Sequence, residues 1–287
     1  MGITGRHGLL VAFGICNLGL NIHKMDVSFL FYTHTDNRDL WPILYKSIAS
    51  LPKENAKFFA VNFSDVDLID PCAGQILTYN DSELYSQKLE YLLKLIPTKY
   101  VVLIHDNDLI TEFDIDLFKS LVIACEKNDI DRCIFGVAAK DAPNRLCLQD
   151  DHFIGQINHI TSPHFLLPYD VSPSIWKTSS YLRLLSDLSP THYRDIERSP
   201  IVERCKKDLK MYGFLTHSLL PSKYVIGRPF YPKFSFLHIF CSRMLMEREM
   251  YMDQIENFDK IMCEFPVIAS RATLRDQTHI NVHFRTV

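Results

Sequence analysis

Along the chain, short unbroken apolar runs alternate with longer segments in which apolar residues return every three or four positions. Residues 27–32 (VSFLFY), 57–62 (KFFAVN), 100–105 (YVVLIH) and 132–138 (RCIFGVA) are runs of the first kind. The first ends in the polar turn Thr33-His34-Thr35-Asp36. Runs of this length, rich in β-branched and aromatic residues, predict buried strands. Segments 40–51, 82–96 and 114–127 carry the helical period: Leu40, Ile43, Leu44, Ile48 and Leu51, then Leu84, Leu89, Leu92, Leu93 and Ile96, then Ile115, Phe118, Leu121, Val122 and Cys125. Ser82 is the expected cap of the second helix and Pro97 its stop. Strands alternating with helices imply βαβ units and a mostly parallel central sheet, an α/β fold.

The second half is less regular. Pro143, Pro163, Pro168 and Pro173 punctuate a loop-like stretch. Helical patterns resume over 174–188, 201–211 and 241–265, and the last twenty residues show none. No repeat or low-complexity segment divides the chain. The expected organisation is one composite domain over 25–287, with a first half at 25–140 and an irregular second half at 141–265. Residues 1–24 read as an extension outside it: poorly packed, the product of a start codon upstream of Met25, or a targeting segment. Their apolar run of thirteen residues, 8–20, follows Arg6 and suits a signal core, but it is too short to span a bilayer. No other stretch reaches that length.

Composition narrows the classes. With 47% hydrophobic and 23% charged residues the chain is ordinary globular protein. Thirty-one basic against thirty-four acidic residues give a net charge of −3, with no block of one sign. That argues against a general nucleic-acid or anionic-membrane binder. The eight cysteines contain no C-x-x-C pair and lie mostly in apolar runs. Neither a disulfide scaffold nor a zinc site fits them, so reduced, buried thiols in a cytoplasmic protein are expected.

The chemistry concentrates where strand 100–105 runs into Asp106-Asn107-Asp108. Ligands of open α/β sheets bind at the C-terminal ends of strands. Two carboxylates placed there as D-x-D repel one another unless a cation lies near them, and Mg²⁺ or Mn²⁺ suits such oxygen ligands. The same residues could instead serve as turn and cap residues. Two enzyme classes carry a strand followed by D-x-D. One is the haloacid-dehalogenase-type phosphohydrolase, whose motif continues to Thr or Val at the fifth position. Here that position is Ile110, and the strand is not the first of the sheet.

The other class fits better. Over about residues 27–240 the chain resembles GT-A-fold nucleotide-sugar glycosyltransferases of the bacterial surface-polysaccharide and viral type. The resemblance rests on Phe31 to Asp36 with Leu40-Trp41, on Tyr79-Asn80-Asp81-Ser82 leading through Leu95 to Asp108, and on Ser172-Pro173-Ser174-Ile175-Trp176-Lys177 before Tyr181-Leu182-Arg183-Leu184-Leu185. Tyr193-Arg194-Asp195-Ile196-Glu197 stands where relatives carry a W-E-F-E-type element, and 231–238 resembles an aromatic stretch ending in a histidine.

The resemblance implies a GT-A-like fold and a metal-dependent sugar transfer from a nucleoside diphosphate sugar to a glycan or other hydroxyl acceptor. It implies that Thr33, Thr35 and Asp36 hold base and ribose, and that Asp81 and Lys88 reach the nucleotide and its phosphates. Asp106, Asn107 and Asp108 would bind the nucleotide sugar, with Asp106, Asp108 and His238 around Mn²⁺ or Mg²⁺. Trp176 and Ser174 would line the acceptor site, and Arg228, Lys233 or His217 could neutralise phosphate. An inverting reaction needs a general base for the acceptor hydroxyl. Glu197 matches that element best and Asp195 next, although Arg194 departs from the aromatic residue of relatives. Inversion is preferred, with retention open. The alternatives are the phosphohydrolase, which requires a phosphoaspartate at Asp106, and a non-catalytic sugar-nucleotide or glycan binder on the same fold.

Overall fold

A computed structural model describes residues 25–70, 74–138, 142–157, 169–193, 195–215, 231, 233–238 and 263. The first half builds strands β1 (Val27–Tyr32), β2 (Lys57–Asn62), β3 (Gln75–Tyr79), β4 (Tyr100–His105), β5 (Asp108–Phe113) and β6 (Arg132–Val137). Helices α1 (Trp41–Ile48), α2 (Tyr85–Leu95) and α3 (Ile115–Lys127) lie between them. The second half adds β7 (Leu146–Cys147), β8 (Phe153–Gln156), β9 (Ser174–Lys177), α4 (Thr178–Ser186), α5 (Ile201–Asp208), β10 (Met211–Phe214) and β11 (Phe234–His238).

Nine strands form one sheet in the order β3-β2-β1-β4-β9-β6-β10-β8-β7. β9 runs antiparallel to both β4 and β6, and β8 antiparallel to β10 and β7, so these two oppose the rest. The sheet is mostly parallel and flanked by helices, as the sequence pattern predicts. β5 and β11 pair separately as an antiparallel ribbon.

Every residue of β1 and β4 is buried, because the sheet is covered on both faces. The pleat divides their side chains between two cores. Phe29, Phe31, Val102 and Ile104 pack with α1, α3 and the β5–β11 ribbon. Leu30, Tyr32, Val101 and Leu103 pack with α2, α4 and α5.

Several expected boundaries shift. Residues 174–188 are not one helix: residues 174–177 are drawn into the gap between β4 and β6, and the helix begins at Thr178. The segment 201–211 is helical only to Asp208, and Met211 starts β10. Ser82 does not cap α2. It lies in the preceding turn, its N–H donating to Asn80 Oδ1, while Gln87 Oε1 accepts from the Leu84 N–H. Cys125, Cys133 and Cys205 are buried free thiols, whereas Cys147 and Cys263 are exposed ones. Among the described residues no helix is long and apolar enough to cross a membrane. The expected extension 1–24, most of the expected helix 241–265, and Arg194, His217 and Arg228 lie outside the described residues.

Candidate active site

The ends of β1 and β4 lie side by side, with Tyr32 in register with His105, and both strands release their chains at one edge of the sheet. From β1 the chain turns through Thr33 and His34 into a 3-10 turn (Thr35–Leu40) and then α1. From β4 it turns through Asp106 and Asn107 into β5. The two turns are tied by one carboxylate. Asp106 Oδ2 accepts from the His34 N–H at 2.7 Å and from Trp41 Nε1 at 3.3 Å, and Oδ1 accepts from Asn37 Nδ2 at 2.8 Å. Burial raises the Asp106 pKa to about 6, against the pull of those donors.

Asp108 meets different surroundings. It is 5% exposed, and its pKa is pushed up to about 8 by burial and by the charges of Asp106 and then Asp170. His105 Nδ1 stands 4.0 Å from Asp108 Oδ2. Across the β5–β11 ribbon the backbone of His238 is in register with Asp108. A buried carboxyl pressed by two others fits a cation, and its oxygen chemistry fits Mg²⁺ or Mn²⁺. Among the described residues no group of three or more His, Cys, Asp or Glu side chains is placed to hold a metal ion. A cation at Asp108 would have to take most of its ligands from a bound molecule and water.

An aromatic floor lies behind this turn. The His105 ring stands 5.6 Å from Tyr32, 5.8 Å from Tyr85 and 5.3 Å from Tyr193, and Tyr85 Oη is hydrogen-bonded to His105 Nε2 at 2.9 Å. Tyr32 stacks on Tyr79, whose hydroxyl donates to the Thr33 carbonyl at 2.5 Å. Lys88, almost wholly buried, lies 4.8 Å above the Tyr79 ring and pairs with Asp81 at 2.7 Å. Asp81 in turn is 3.9 Å from His34 Nε2, which brings Asp81 and Lys88 to the Asp106 turn.

The third contribution comes from the loop before β9. Arg132, fully buried and 4.5 Å over the Trp176 ring, donates to Asp170 Oδ1 at 2.8 Å. The next residue, Val171, donates its N–H to Glu197 Oε1 at 2.9 Å. Glu197 is thereby fixed to the loop that carries Asp170, and its charge reaches the Tyr85 and Tyr193 hydroxyls.

The expected site residues therefore divide. Asp106, Asn107, Asp108, Asp81, Lys88, the loop from Thr33 to Asp36, and Glu197 converge on one sheet edge. Within that loop the Thr33 hydroxyl is committed to the Ala60 carbonyl at 2.7 Å and the Thr35 hydroxyl to Asp65, while the Asp36 side chain is exposed. Trp176 and Ser174 do not fit an acceptor site. Trp176 is 1% exposed, stacked between Arg132 and Tyr181, and the fully buried Ser174 Oγ donates to the Ser172 carbonyl and accepts from Arg132 Nε. Their strand is inserted into the middle of the sheet, so both are core. Asp195 is exposed, and its N–H closes a turn on the His192 carbonyl.

Sequence reasoning assigned no role to Asn37, Trp41, His105, Arg132, Asp170 or Tyr193. An arginine opening an apolar strand was a usable signal for Arg132, since a buried guanidinium demands a carboxylate. The others lie on a strand end, a helix start and loops that only the tertiary fold brings together.

No family model matches the chain, and no curated protein matches it. Solved structures resemble it weakly. The S. aureus TarS 1–349 complex with UDP aligns at a TM-score of 0.43 and 12% identity, covering 65% of this chain and 57% of that one. The longer S. aureus TarS structure is covered only over 35% of its length. A CMP:2-keto-3-deoxy-manno-octonic acid synthetase complexed with CTP aligns at 0.43 and 8% identity, covering 66% of this chain and 89% of that one. A cytidylyltransferase from Leptospira borgpetersenii aligns at 0.44 and 12%, covering 85% and 96%. Likenesses at this level carry no argument about activity, and the α/β assignment stands on the strand order itself.

Proposed function

We propose that the chain is a divalent-cation-dependent glycosyltransferase that takes a nucleoside diphosphate sugar as donor and a glycan or similar hydroxyl as acceptor. The observation that carries this reading is Asp108: a buried carboxyl three residues beyond the C-terminal end of the central parallel strand β4, at the start of β5, pressed by Asp106 and Asp170. Asp108 would hold the ion. A bound divalent cation would neutralise the diphosphate leaving group. Asp106 keeps the turn after β1 against the turn after β4, so that the loop from Thr33 to Asp36 faces the same space for base and ribose. Lys88, held by Asp81, adds a fixed positive charge on the nucleotide side. His238 is assigned to the ion's surroundings from its register with Asp108.

Glu197 is assigned as general base for the acceptor hydroxyl. Its bond from the Val171 N–H fixes the direction of the carboxylate, as a base acting at hydrogen-bond range requires. With Glu197 as the single base, the proposed reaction is direct displacement with inversion.

The phosphohydrolase alternative is disfavoured by Asp106 itself. Oδ2 already accepts two N–H donors and Oδ1 one, so that a single acceptor position remains on Asp106, and Ile110 stands where the phosphohydrolase motif carries Thr or Val.

The test is release of nucleoside diphosphate from UDP-, GDP-, ADP- and dTDP-sugars with Mn²⁺. Release is expected to cease with EDTA and to fall roughly a hundredfold or more in Asp108→Asn, the scale of losing one preorganised electrostatic group. Pyrophosphate release from a nucleoside triphosphate and a sugar 1-phosphate would redirect the reading to nucleotidyl transfer. Tight binding with no release of either product would leave a binding protein.

A further inference from the structure

Two polar atoms beside Asp108 are arranged for a ligand the protein does not itself provide. Asn107 is 8% exposed, and its Oδ1 accepts no hydrogen bond. A buried amide oxygen without a donor is uncommon in a folded chain, since folding removes its water and returns nothing. Tyr193 stands against the same turn. Its ring meets the buried Tyr85 edge-on at 5.1 Å and His105 at 5.3 Å, yet keeps 36% of its surface exposed. The ring is thus a shelf on a rigid aromatic base, packed against the His105 ring two residues before Asn107. Burial and the charges of Asp108 and Glu197 raise the Tyr193 pKa, so the phenol keeps its proton and can donate it.

We propose that Asn107 and Tyr193 form a clamp that reads a hydroxyl of the transferred sugar, with Asn107 Oδ1 accepting, Tyr193 Oη donating and the exposed ring face lying against the sugar. The inference rests on the proposed donor site and names the part of the donor these residues select. A hydroxyl both gives and takes a hydrogen bond, and so matches an acceptor and a donor set side by side. Phosphate oxygens only accept, so Asn107 Oδ1 and Asp108 would both repel them in the absence of an ion. An aromatic face suits the apolar side of a sugar ring. Asn107 opens toward this role because Asp106, one residue earlier, already takes the donors of the β1 loop.

Calorimetric titration of the full chain with Mn²⁺ separates the clamp from the site it serves. UDP, GDP, ADP and dTDP are titrated first, then the glucose, galactose and mannose conjugates of whichever binds. Wild-type protein should bind at least one conjugate more tightly than the bare diphosphate. Tyr193→Phe, which keeps the ring and removes one oxygen, should lose about tenfold on that conjugate and leave the bare diphosphate unchanged. In a double-mutant cycle with Asn107→Ala the two losses should be coupled. If no diphosphate binds, the donor-site reading fails and the clamp with it. If a diphosphate binds but no sugar improves on it, or Tyr193→Phe keeps the full advantage, the clamp alone is overturned.

Discussion

Asp106 and Asp108 leave the same strand end, yet the first is wrapped by three N–H donors and the second faces two further carboxylates. The D-x-D pattern marked both as site residues, and the family resemblance put Asp108 ahead of Asp106 as the direct metal ligand, but neither carries the surroundings that separate them. Their difference comes from Asn37, Trp41 and Asp170, which are distant in sequence and carry no signal of their own. It also sets a pH dependence. A carboxyl whose folded pKa lies above its ordinary value favours the fold while protonated and loses that contribution as pH rises through the folded pKa. Without metal, stability should therefore fall with pH, Asp106 acting up to about pH 6 and Asp108 on to about pH 8. The groups facing Asp108 are Asp106, Asp170, His105 and Tyr193. Thermal unfolding in EDTA should show the melting temperature declining from about pH 5 to about pH 8, and Asp108→Asn should remove the part above about pH 6. A variant as steep as wild type in that upper range would contradict the assignment.

At the scale of elements, legibility follows how much of an element's stability is local. β1, β2 and β4 are continuous apolar runs, and their boundaries coincide with those read from the sequence. α3 begins after Asp114, whose Oδ1 accepts from the Leu117 N–H at 3.0 Å. Removing this cap in Asp114→Ala should cost about 1 kcal/mol, read as a lower urea midpoint at unchanged slope. β5 and β9 were not legible. β5 mixes Thr111 and Glu112 into its run, and its partner β11 lies more than a hundred residues later. β9 has four residues between Pro173 and a helix, and what makes it a strand is the open backbone of β4 on one side and β6 on the other. Pairing of that kind overrides local preference. With residues 174–177 drawn into the sheet as β9, Trp176 and Ser174, which the resemblance placed at the acceptor site, are core residues.

At the scale of the whole molecule, the site is a meeting of chain segments that are far apart in sequence. The turn after β1, the turn after β4, the loop before β9, and Tyr193 with Glu197 each contribute, and β9 locks the two parts of the sheet together. A chain ending at residue 157 would leave β4 and β6 with unpaired facing edges, the kind of surface that drives strand-to-strand aggregation. Expressed as a fragment it should be found in the insoluble fraction, while one extended through residue 215 should show markedly more soluble protein. The same insertion has a consequence in time. A ribosome delivers both neighbours of β9 before β9 itself, so the nascent sheet must wait, open at its centre, for a strand not yet made. Growth in cells depleted of trigger factor or its equivalent should therefore lower the yield of this protein more than that of one whose sheet is laid down from one edge to the other.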